Sequence, residues 1–261
     1  WCFILKTTNL QKQNKENRYQ ILKESIDDFL LIKDDIKTGI EDNCKIENQK
    51  KKIMKVLNAS EEQWNDYKWQ FQNRFTDANK ISLVLDISKE EIEEITKVGL
   101  HYRYAISPYY LSLIDPGNEM CPIKIQSIPS VEELSEKGEL DPMGEEDSTP
   151  IDFVTRRYPD RIIIKVTNMC GMYCRFCQRR RLIGECDKHA PKDKIKNAIE
   201  YVRENSEIRD VLITGGDPFF LSDPQIEWIL KELRSIPHVE IIRFGTRTPV
   251  TLPQRITKNL V

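Results

Sequence analysis

The chain has 261 residues, of which 39% are hydrophobic and 31% are charged, and its formal net charge is −2. This composition is typical of a globular protein with room for one large domain or two small ones. It shows neither the positive charge of a nucleic-acid-binding protein nor an apolar run near the roughly 20 residues that a transmembrane helix needs. The apolar stretch at the start is too short for a signal peptide. Because the first residue is not Met, we expect the chain to be cut at its N-terminus.

Residues 1–58 are rich in Lys, Asn, Gln and Glu and carry no motif that assigns them a role. Within them, the stretch 19–36 places apolar side chains on one face at helical spacing: Leu22, Ile26, Phe29, Leu30 and Ile36. This periodicity predicts an amphipathic helix. We therefore interpret residues 1–58 as a helical extension of unknown role.

Residues 59–150 are predicted to form a second, mostly helical region. Capping boxes, in which a Ser is followed three residues later by Glu or Gln, begin at Ser60, Ser88 and Ser130. The first of them opens a helix with an aromatic stripe, which is typical of a helix that faces a core. The acidic segment 141–150 is predicted to be an exposed loop.

In the last part of the chain, predicted strands alternate with predicted helices. The runs 161–167, 210–214 and 239–244 have the composition of buried strands, and 192–205 and 222–236 have the periodicity of amphipathic helices. This alternation predicts right-handed βαβ units and a parallel sheet, so the fold class is α/β. We expect 151–261 to be the first half of a partial, TIM-like (β/α) barrel that is truncated after its third strand.

The unusual loops of this region all follow strands. A cysteine-containing loop follows the first strand, the sequence GGDP (215–218) follows the second, and GTRTP (245–249) follows the third. The carboxyl ends of parallel strands meet at one edge of a sheet, where ligands bind in such folds. The three loops are therefore predicted to form one site.

Three of the seven cysteines lie within eight positions: Cys170, Cys174 and Cys177. An odd number of cysteines with this clustering does not indicate a disulfide framework and favours a reducing compartment, the cytoplasm. Thiolates are soft ligands that suit zinc or iron–sulfur clusters. Electron-transfer clusters normally use four cysteines, so three indicate a four-iron cluster with one iron left free for a substrate or cofactor.

Two other interpretations stay open on the residues alone. A zinc site could be completed by Cys186 or His189, which would make the region a non-catalytic binding module. The arginines that follow the first cysteines could form a basic patch for nucleic acid, although the chain is acidic overall. They could also lower the pKa values of the thiols and bind carboxylates or phosphates. These arginines are Arg175, Arg179, Arg180 and Arg181.

Together these motifs resemble the radical S-adenosylmethionine (SAM) superfamily, which has a Cys-x₃-Cys-x₂-Cys loop and a GGE-type motif after the second strand. More specifically, the stretches ISPYYLSLIDP, RRYPDRIIIKVTNMCGMYCRFCQRRR, IRDVLITGGDPFFLSD and IPHVEIIRFGTRTPVTLPQRIT resemble the lysine 2,3-aminomutase family. The similarity covers about residues 60–261. It implies that the fold is the radical SAM barrel, preceded by a helical N-terminal region.

The resemblance implies three cofactors. Cys170, Cys174 and Cys177 would hold a [4Fe–4S] cluster. SAM would chelate the free iron, with Gly215, Gly216 and Asp217 near its amine and Phe176 near its adenine. Pyridoxal 5′-phosphate (PLP) would lie near Arg157, with Arg161 as a weaker candidate.

The implied reaction is that of an isomerase. A radical formed from SAM takes hydrogen from the β-carbon of a PLP-bound free amino acid, lysine or glutamate, and the amino group moves from carbon 2 to carbon 3. Arg179 would pair with the substrate carboxylate. The lysine that carries PLP is expected beyond residue 261, so the catalytic residue of this chain stays unknown. A flavodoxin or ferredoxin would supply the electrons. The enzyme would be a homo-oligomer, and we expect neither a nucleic acid nor a membrane as a partner.

The sequence also departs from the usual pattern of the lysine enzymes. Gly171, Phe176 and Gln178 replace the Ser, His and Thr that those enzymes have around the cysteines, and Pro218 replaces an Ala. These changes favour the glutamate branch or another relative. An enzyme that modifies a lysine of a translation factor is the alternative within the same chemistry.

Overall fold

The computed structural model describes residues 14–36, 40–135 and 138–261. The chain divides into two compact units, residues 1–45 and 46–261. Residues 46–58 of the predicted extension therefore belong to the larger unit. In the part of the chain that the structure describes, no helix is both long and apolar enough to cross a membrane.

The described residues of the smaller unit are mainly helical. Residues 14–24 are helical, a turn follows at 25–26, and helix α1 covers Asp27–Ile32. The helix predicted over 19–36 is thus interrupted by this turn. Its apolar side chains are exposed: Leu22, Ile26, Phe29, Leu30 and Ile36.

The larger unit begins with a layer of mostly short helices, as the sequence predicts. The helices are α2 (Asn43–Leu57), of which residues 46–57 belong to this unit, α3 (Glu61–Asn65), α4 (Tyr67–Gln72), α5 (Ala78–Ser82), α6 (Lys89–Gly99), α7 (Pro108–Ser112) and α8 (Pro122–Ser127). The capping boxes at Ser60 and Ser88 form as predicted, and the box at Ser130 opens a 3-10 turn, Val131–Leu134. The single helix predicted after Ser60 is broken at Asp66, whose extended backbone ends α3 and whose carboxylate caps α4.

The second part of this unit is a four-stranded sheet. Its strands are β1 (Val154–Thr155), β2 (Arg161–Thr167), β3 (Asp210–Gly215) and β4 (Ile241–Phe244), in the order β1-β2-β3-β4. Strands β2, β3 and β4 are parallel, which confirms the predicted βαβ pattern, and β1 is antiparallel to β2. Sequence analysis missed β1, because two residues are too few to show a periodicity.

Two helices cover one face of the sheet. Helix α9 (Lys192–Glu204) and helix α10 (Asp223–Arg234) bury their apolar stripes against alternate residues of the strands. On β2 these are Ile162, Ile164 and Val166, all nearly inaccessible to solvent. Because side chains alternate along a strand, Ile163, Lys165 and Thr167 occupy the opposite face, which lies on the inner side of the partial barrel.

Candidate functional site

A cavity of about 520 Å³ opens at the carboxyl ends of β2 and β3. Its lining includes Cys170, Cys174 and Cys177, the Gly215–Gly216 turn, and Lys165 and Thr167 of β2. The structure therefore brings the cysteine loop and the glycine turn together at one edge of the sheet, as their positions after the strands predict. The loop after β4 joins them through hydrogen bonds to Asp217.

The helical layer fastens the cysteine loop. The Arg74 guanidinium donates to the Cys170 carbonyl oxygen at 2.7 Å, the Tyr173 amide donates to Ala105 O at 3.0 Å, and the Arg175 amide donates to Gln126 O at 3.0 Å. These contacts join residues far apart in the chain. No local sequence pattern indicated them.

Burial dominates the electrostatics of the thiols. It raises the pKa of Cys170 well above its usual value, and the neighbouring Asp217, Cys174 and Cys177 raise it further, while Arg74 opposes them. Burial also raises the pKa of Cys177, against Arg179 and Arg180. Arg179 and Arg180 lower the pKa of Cys177, as the sequence suggested, but desolvation outweighs their charges and the net shift is upward. Metal binding must therefore displace protons from these thiols.

Arg247 contacts the thiol of Cys174. The sequence analysis did not single out this arginine. Its Nη1 atom lies 2.7 Å from Cys174 Sγ, and its Nη2 atom donates to Gln126 Oε1 at 2.8 Å and to the Tyr110 hydroxyl at 3.3 Å. The guanidinium carbon lies 5.4 Å from the centre of the Phe176 ring. A cation is thus held against a sulfur that is a predicted cluster ligand.

Close backbone packing requires glycine at the last position of β3 and at the position that follows it. Gly215 has a φ of +123°, and a Cβ atom at Gly216 would lie 2.5 Å from Met169 O and 2.6 Å from Asn168 C. Only glycine lets the β3 turn approach the start of the cysteine loop so closely. The GGD sequence therefore joins the two loops of the site.

The Asp217 carboxylate is buried and bonded to protein groups. It accepts hydrogen bonds from the Thr246 hydroxyl at 2.6 Å, the Arg247 amide at 2.8 Å and the Phe219 amide at 3.1 Å. These bonds connect the ends of β3 and β4. Asp217 thereby positions the backbone of the residue whose guanidinium reaches Cys174, and its predicted role at the SAM amine stays a prediction.

The arginines after the cysteines are each paired with a carboxylate. Arg175 and Arg180 bind Glu133, Arg179 binds Glu145 at 2.7 Å, and Arg181 binds Asp141 at 2.8 Å. The prediction of an exposed loop at 141–150 was wrong for Glu145, which is buried. A paired and partly buried cluster does not form the solvated basic patch that nucleic acid would need.

The other predicted ligand residues lie outside the cavity lining. Arg157 is exposed in the turn between β1 and β2, and Arg161 begins β2 and lies 3.6 Å from Asp160. Thr167, at the other end of β2, is about 20 Å from Arg161 at the usual strand rise. Phe176 is exposed beside Arg247. The structure does not bring Arg157 and Arg161 together with the cysteines, and their roles stay predictions.

The surroundings of the three thiols bear on the zinc alternative. Among the described residues, no three His, Cys, Asp or Glu side chains converge closely enough to hold one metal ion. Cys186 is exposed, and His189 bonds to the Thr167 hydroxyl. The structure therefore gives no support to the zinc alternative. The three thiols line one cavity, and thiolates are the soft ligands that an iron–sulfur cluster takes.

Comparison with known proteins defines the class. The Radical SAM superfamily model matches residues 164–261, which contain the cysteine loop and the sheet from β2 onward. The chain is 53% identical over 250 residues to the glutamate 2,3-aminomutase of Clostridioides difficile, with 95% of this chain and 59% of that protein covered. It is 47% identical over 205 residues to the L-lysine 2,3-aminomutase of Fusobacterium nucleatum, with 78% and 48% covered.

A third relative, the L-lysine 2,3-aminomutase of Clostridium subterminale, is 45% identical over 205 residues, with 78% of this chain and 49% of that protein covered. The chain belongs to the radical SAM superfamily and, within it, to the lysine 2,3-aminomutase family. Membership of the radical SAM superfamily implies a [4Fe–4S] cluster and SAM as cofactors. The chain spans about half to three-fifths of the length of the curated relatives it matches.

Proposed function

We propose that this chain is the cluster- and SAM-binding part of an amino-acid 2,3-aminomutase, an isomerase that converts a free α-amino acid into a β-amino acid. The observation that carries the proposal is the meeting of three cysteines and the Gly215–Gly216 turn in one cavity at the carboxyl edge of the sheet. The similarity to glutamate and lysine 2,3-aminomutases supports the same reaction.

The residues of the chain bind and orient in this proposal. Cys170, Cys174 and Cys177 hold the cluster, and the backbone of Gly215 and Gly216 lies near the amine of SAM. When bound, the reduced cluster and SAM supply a radical that takes hydrogen from the substrate, and PLP supplies the carrier of the migrating amino group. The mostly apolar cavity wall excludes water from this chemistry.

Two residues with proposed ligand-binding roles already bind other protein groups in the structure. Arg179, which we propose for the substrate carboxylate, holds the buried Glu145 carboxylate with hydrogen bonds of 2.7 to 3.2 Å. A substrate must therefore displace Glu145 or share the guanidinium with it. Asp217, proposed near the SAM amine, bonds Thr246 and Arg247 with both carboxylate oxygens and retains its remaining acceptor capacity for an ammonium group.

The substrate, partners and location belong to the same proposal. Glutamate is favoured over lysine by the departures around the cysteines and by the longer match to the glutamate enzyme. Arg157 and Arg161 are proposed to bind PLP. A flavodoxin or ferredoxin is proposed as the electron donor, and the assembly is proposed to be a homo-oligomer. The cytoplasmic location rests on the cysteine pattern alone.

The first test is a metal and product analysis of the full-length protein. After anaerobic reconstitution, we expect about four iron and four sulfide per chain, and β-glutamate or β-lysine from the matching α-amino acid when SAM, PLP and a reductant are present. Cys177→Ala should lose both iron and product, whereas Cys186→Ala, which changes an exposed cysteine outside the motif, should lose neither.

Other results would contradict the proposal. Zinc without sulfide in the reconstituted protein would support the non-catalytic module. A cluster with no product from any free amino acid, together with a modified lysine on a translation factor, would support the alternative enzyme.

A further inference from the structure

The side chain of Lys165 puts a positive charge on the face of the sheet that lies on the inner side of the partial barrel. Its neighbours Ile164 and Val166 are buried on the helix-covered face, so the Lys165 side chain lies on the opposite face, and it lines the same cavity as the cysteines. The residue is half-buried. A lysine side chain is rarely buried without a charged partner. We therefore expect an anionic group beside Lys165 in the completed site.

The bonding of the Lys165 ammonium is incomplete. It donates to the Thr155 hydroxyl at 2.8 Å, a neutral and buried acceptor on the neighbouring strand β1. Among the residues that the structure describes, no carboxylate lies within ion-pair distance of it. An ammonium group has three hydrogens to donate, so two remain for other acceptors.

The carboxylates nearest to the cavity are engaged by other cations. Glu145 is held by Arg179 at 2.7 Å, and Asp152 is held by Lys194 at 2.7 Å. Burial lowers the pKa of Lys165. The charges of Glu145 and Asp141 oppose this effect, whereas the charges of Arg179 and Arg181 lower the pKa further. An anion bound beside Lys165 would offset this desolvation.

We propose that Lys165 is an anion-binding residue of the cavity that holds an anionic oxygen group of a ligand. Under the proposed function, on which the identity of the ligand rests, that group is either the side-chain carboxylate of an acidic amino acid or the phosphate of PLP. A carboxylate on Lys165 would make this residue a determinant of specificity for glutamate over lysine.

The test compares Lys165→Gln, Lys165→Arg and wild-type full-length protein. Gln keeps a donor for Thr155 but removes the charge, and Arg keeps the charge. Lys196→Met, on the exposed face of α9, is the matched control. Binding of inorganic phosphate, PLP and glutarate is measured by calorimetry. We expect Lys165→Gln to weaken binding of one probe class by about tenfold or more, as for loss of a charged hydrogen bond, and Lys165→Arg to restore most of it.

The probes separate the two sources of the anion. Weaker binding of glutarate, with a higher KM for glutamate, assigns the carboxylate, whereas weaker binding of phosphate and PLP assigns the cofactor. Unchanged binding of all three probes to folded Lys165→Gln overturns the inference. The binding measurements need no turnover, so a protein that binds the anion but forms no β-amino acid refutes the proposed function and leaves this inference standing.

A second measurement needs no variant. In wild-type protein, we expect saturating phosphate or glutarate to slow the acetylation of Lys165 by acetic anhydride, followed by peptide mass spectrometry, while Lys196 reacts at the same rate. Equal acetylation of Lys165 with and without every probe would overturn the inference even if the substituted proteins fail to fold.

Discussion

Arg247 connects the Asp217 turn after β3 to the cysteine loop. Its backbone amide is held by Asp217, and its guanidinium contacts Cys174 Sγ at 2.7 Å. A cation that donates to a ligand sulfur stabilises negative charge on it, and such hydrogen bonds raise the reduction potential of an iron–sulfur cluster. In the proposed site, the GGD motif would therefore act on the cluster through the loop after β4 as well as through its glycines.

Arg247→Gln should shift the midpoint potential of the reconstituted cluster to a more negative value, because the charge next to Cys174 is removed. The measurement is a redox titration followed by electron paramagnetic resonance, with iron and sulfide determined on the same sample. Tyr110→Phe removes a neighbouring partner of Arg247 and leaves the contact with sulfur, so it is the control. An unchanged potential in Arg247→Gln at full iron content would show that Arg247 has only a packing role.

At the scale of the elements, the turn after β3 limits how the two loops meet. The backbone of Gly216 lies so close to Met169 and Asn168 that a side chain would collide with main-chain atoms, which cannot rotate away. The register of β2 and β3 also shifts between Lys165 and Thr167, next to this contact. The turn and the cysteine loop therefore form one packed structure.

Gly216→Ala should lower the free energy of unfolding by about 3 kcal/mol or more, as expected when a methyl group is forced against fixed backbone. Urea unfolding of the two proteins measures the difference. Gly138→Ala is the control, because a Cβ atom there meets nothing within 4 Å, and its effect should stay within about 0.5 kcal/mol. Equal effects of the two substitutions would contradict the argument.

At the scale of the whole larger unit, Asp187 joins the helical layer to the cysteine loop. It accepts hydrogen bonds from Tyr173 at 2.5 Å, from Arg103 at 2.7 Å and from Arg74. Burial alone would raise the pKa of Asp187, but the hydrogen bond from Tyr173 and the charge of Arg74 outweigh it, and the pKa is lowered. A carboxyl whose pKa is lower in the folded state stabilises the fold above its unfolded pKa, and this stabilisation is lost as the pH falls through the folded pKa.

Asp187→Asn should therefore destabilise the protein at neutral pH by roughly 1–3 kcal/mol, with the lower part of this range favoured because the group is partly exposed to solvent. The difference from wild type should shrink as the pH falls below about 4, because Asp187 protonates there in the unfolded chain and only at a lower pH in the folded protein. Urea unfolding at several pH values measures it, and Asp147→Asn, at an exposed aspartate, corrects for the loss of one charge. A difference that is constant over this pH range would argue against the ion-pair role.

Local patterns determined much of this protein. Strand and helix periodicity, the capping boxes at Ser60 and Ser88, and the spacing of the three cysteines all depend on residues within a few positions of one another. Such short-range preferences act in the unfolded chain as well as in the fold. They were sufficient to predict the parallel sheet, the edge that carries the site, and the family resemblance.

Only the tertiary structure decided which side chains meet in the cavity. Arg74 reaches Cys170 across 96 positions, Arg247 reaches Cys174 across 73, and Glu145 reaches Arg179 across 34. In the sequence, Lys165 is a single polar residue within a run of β-branched residues. Only its position in the folded sheet shows that its side chain lies on the cavity face. Pairings of this kind depend on how elements pack, and the energy of packing is distributed over many distant contacts that no local pattern contains.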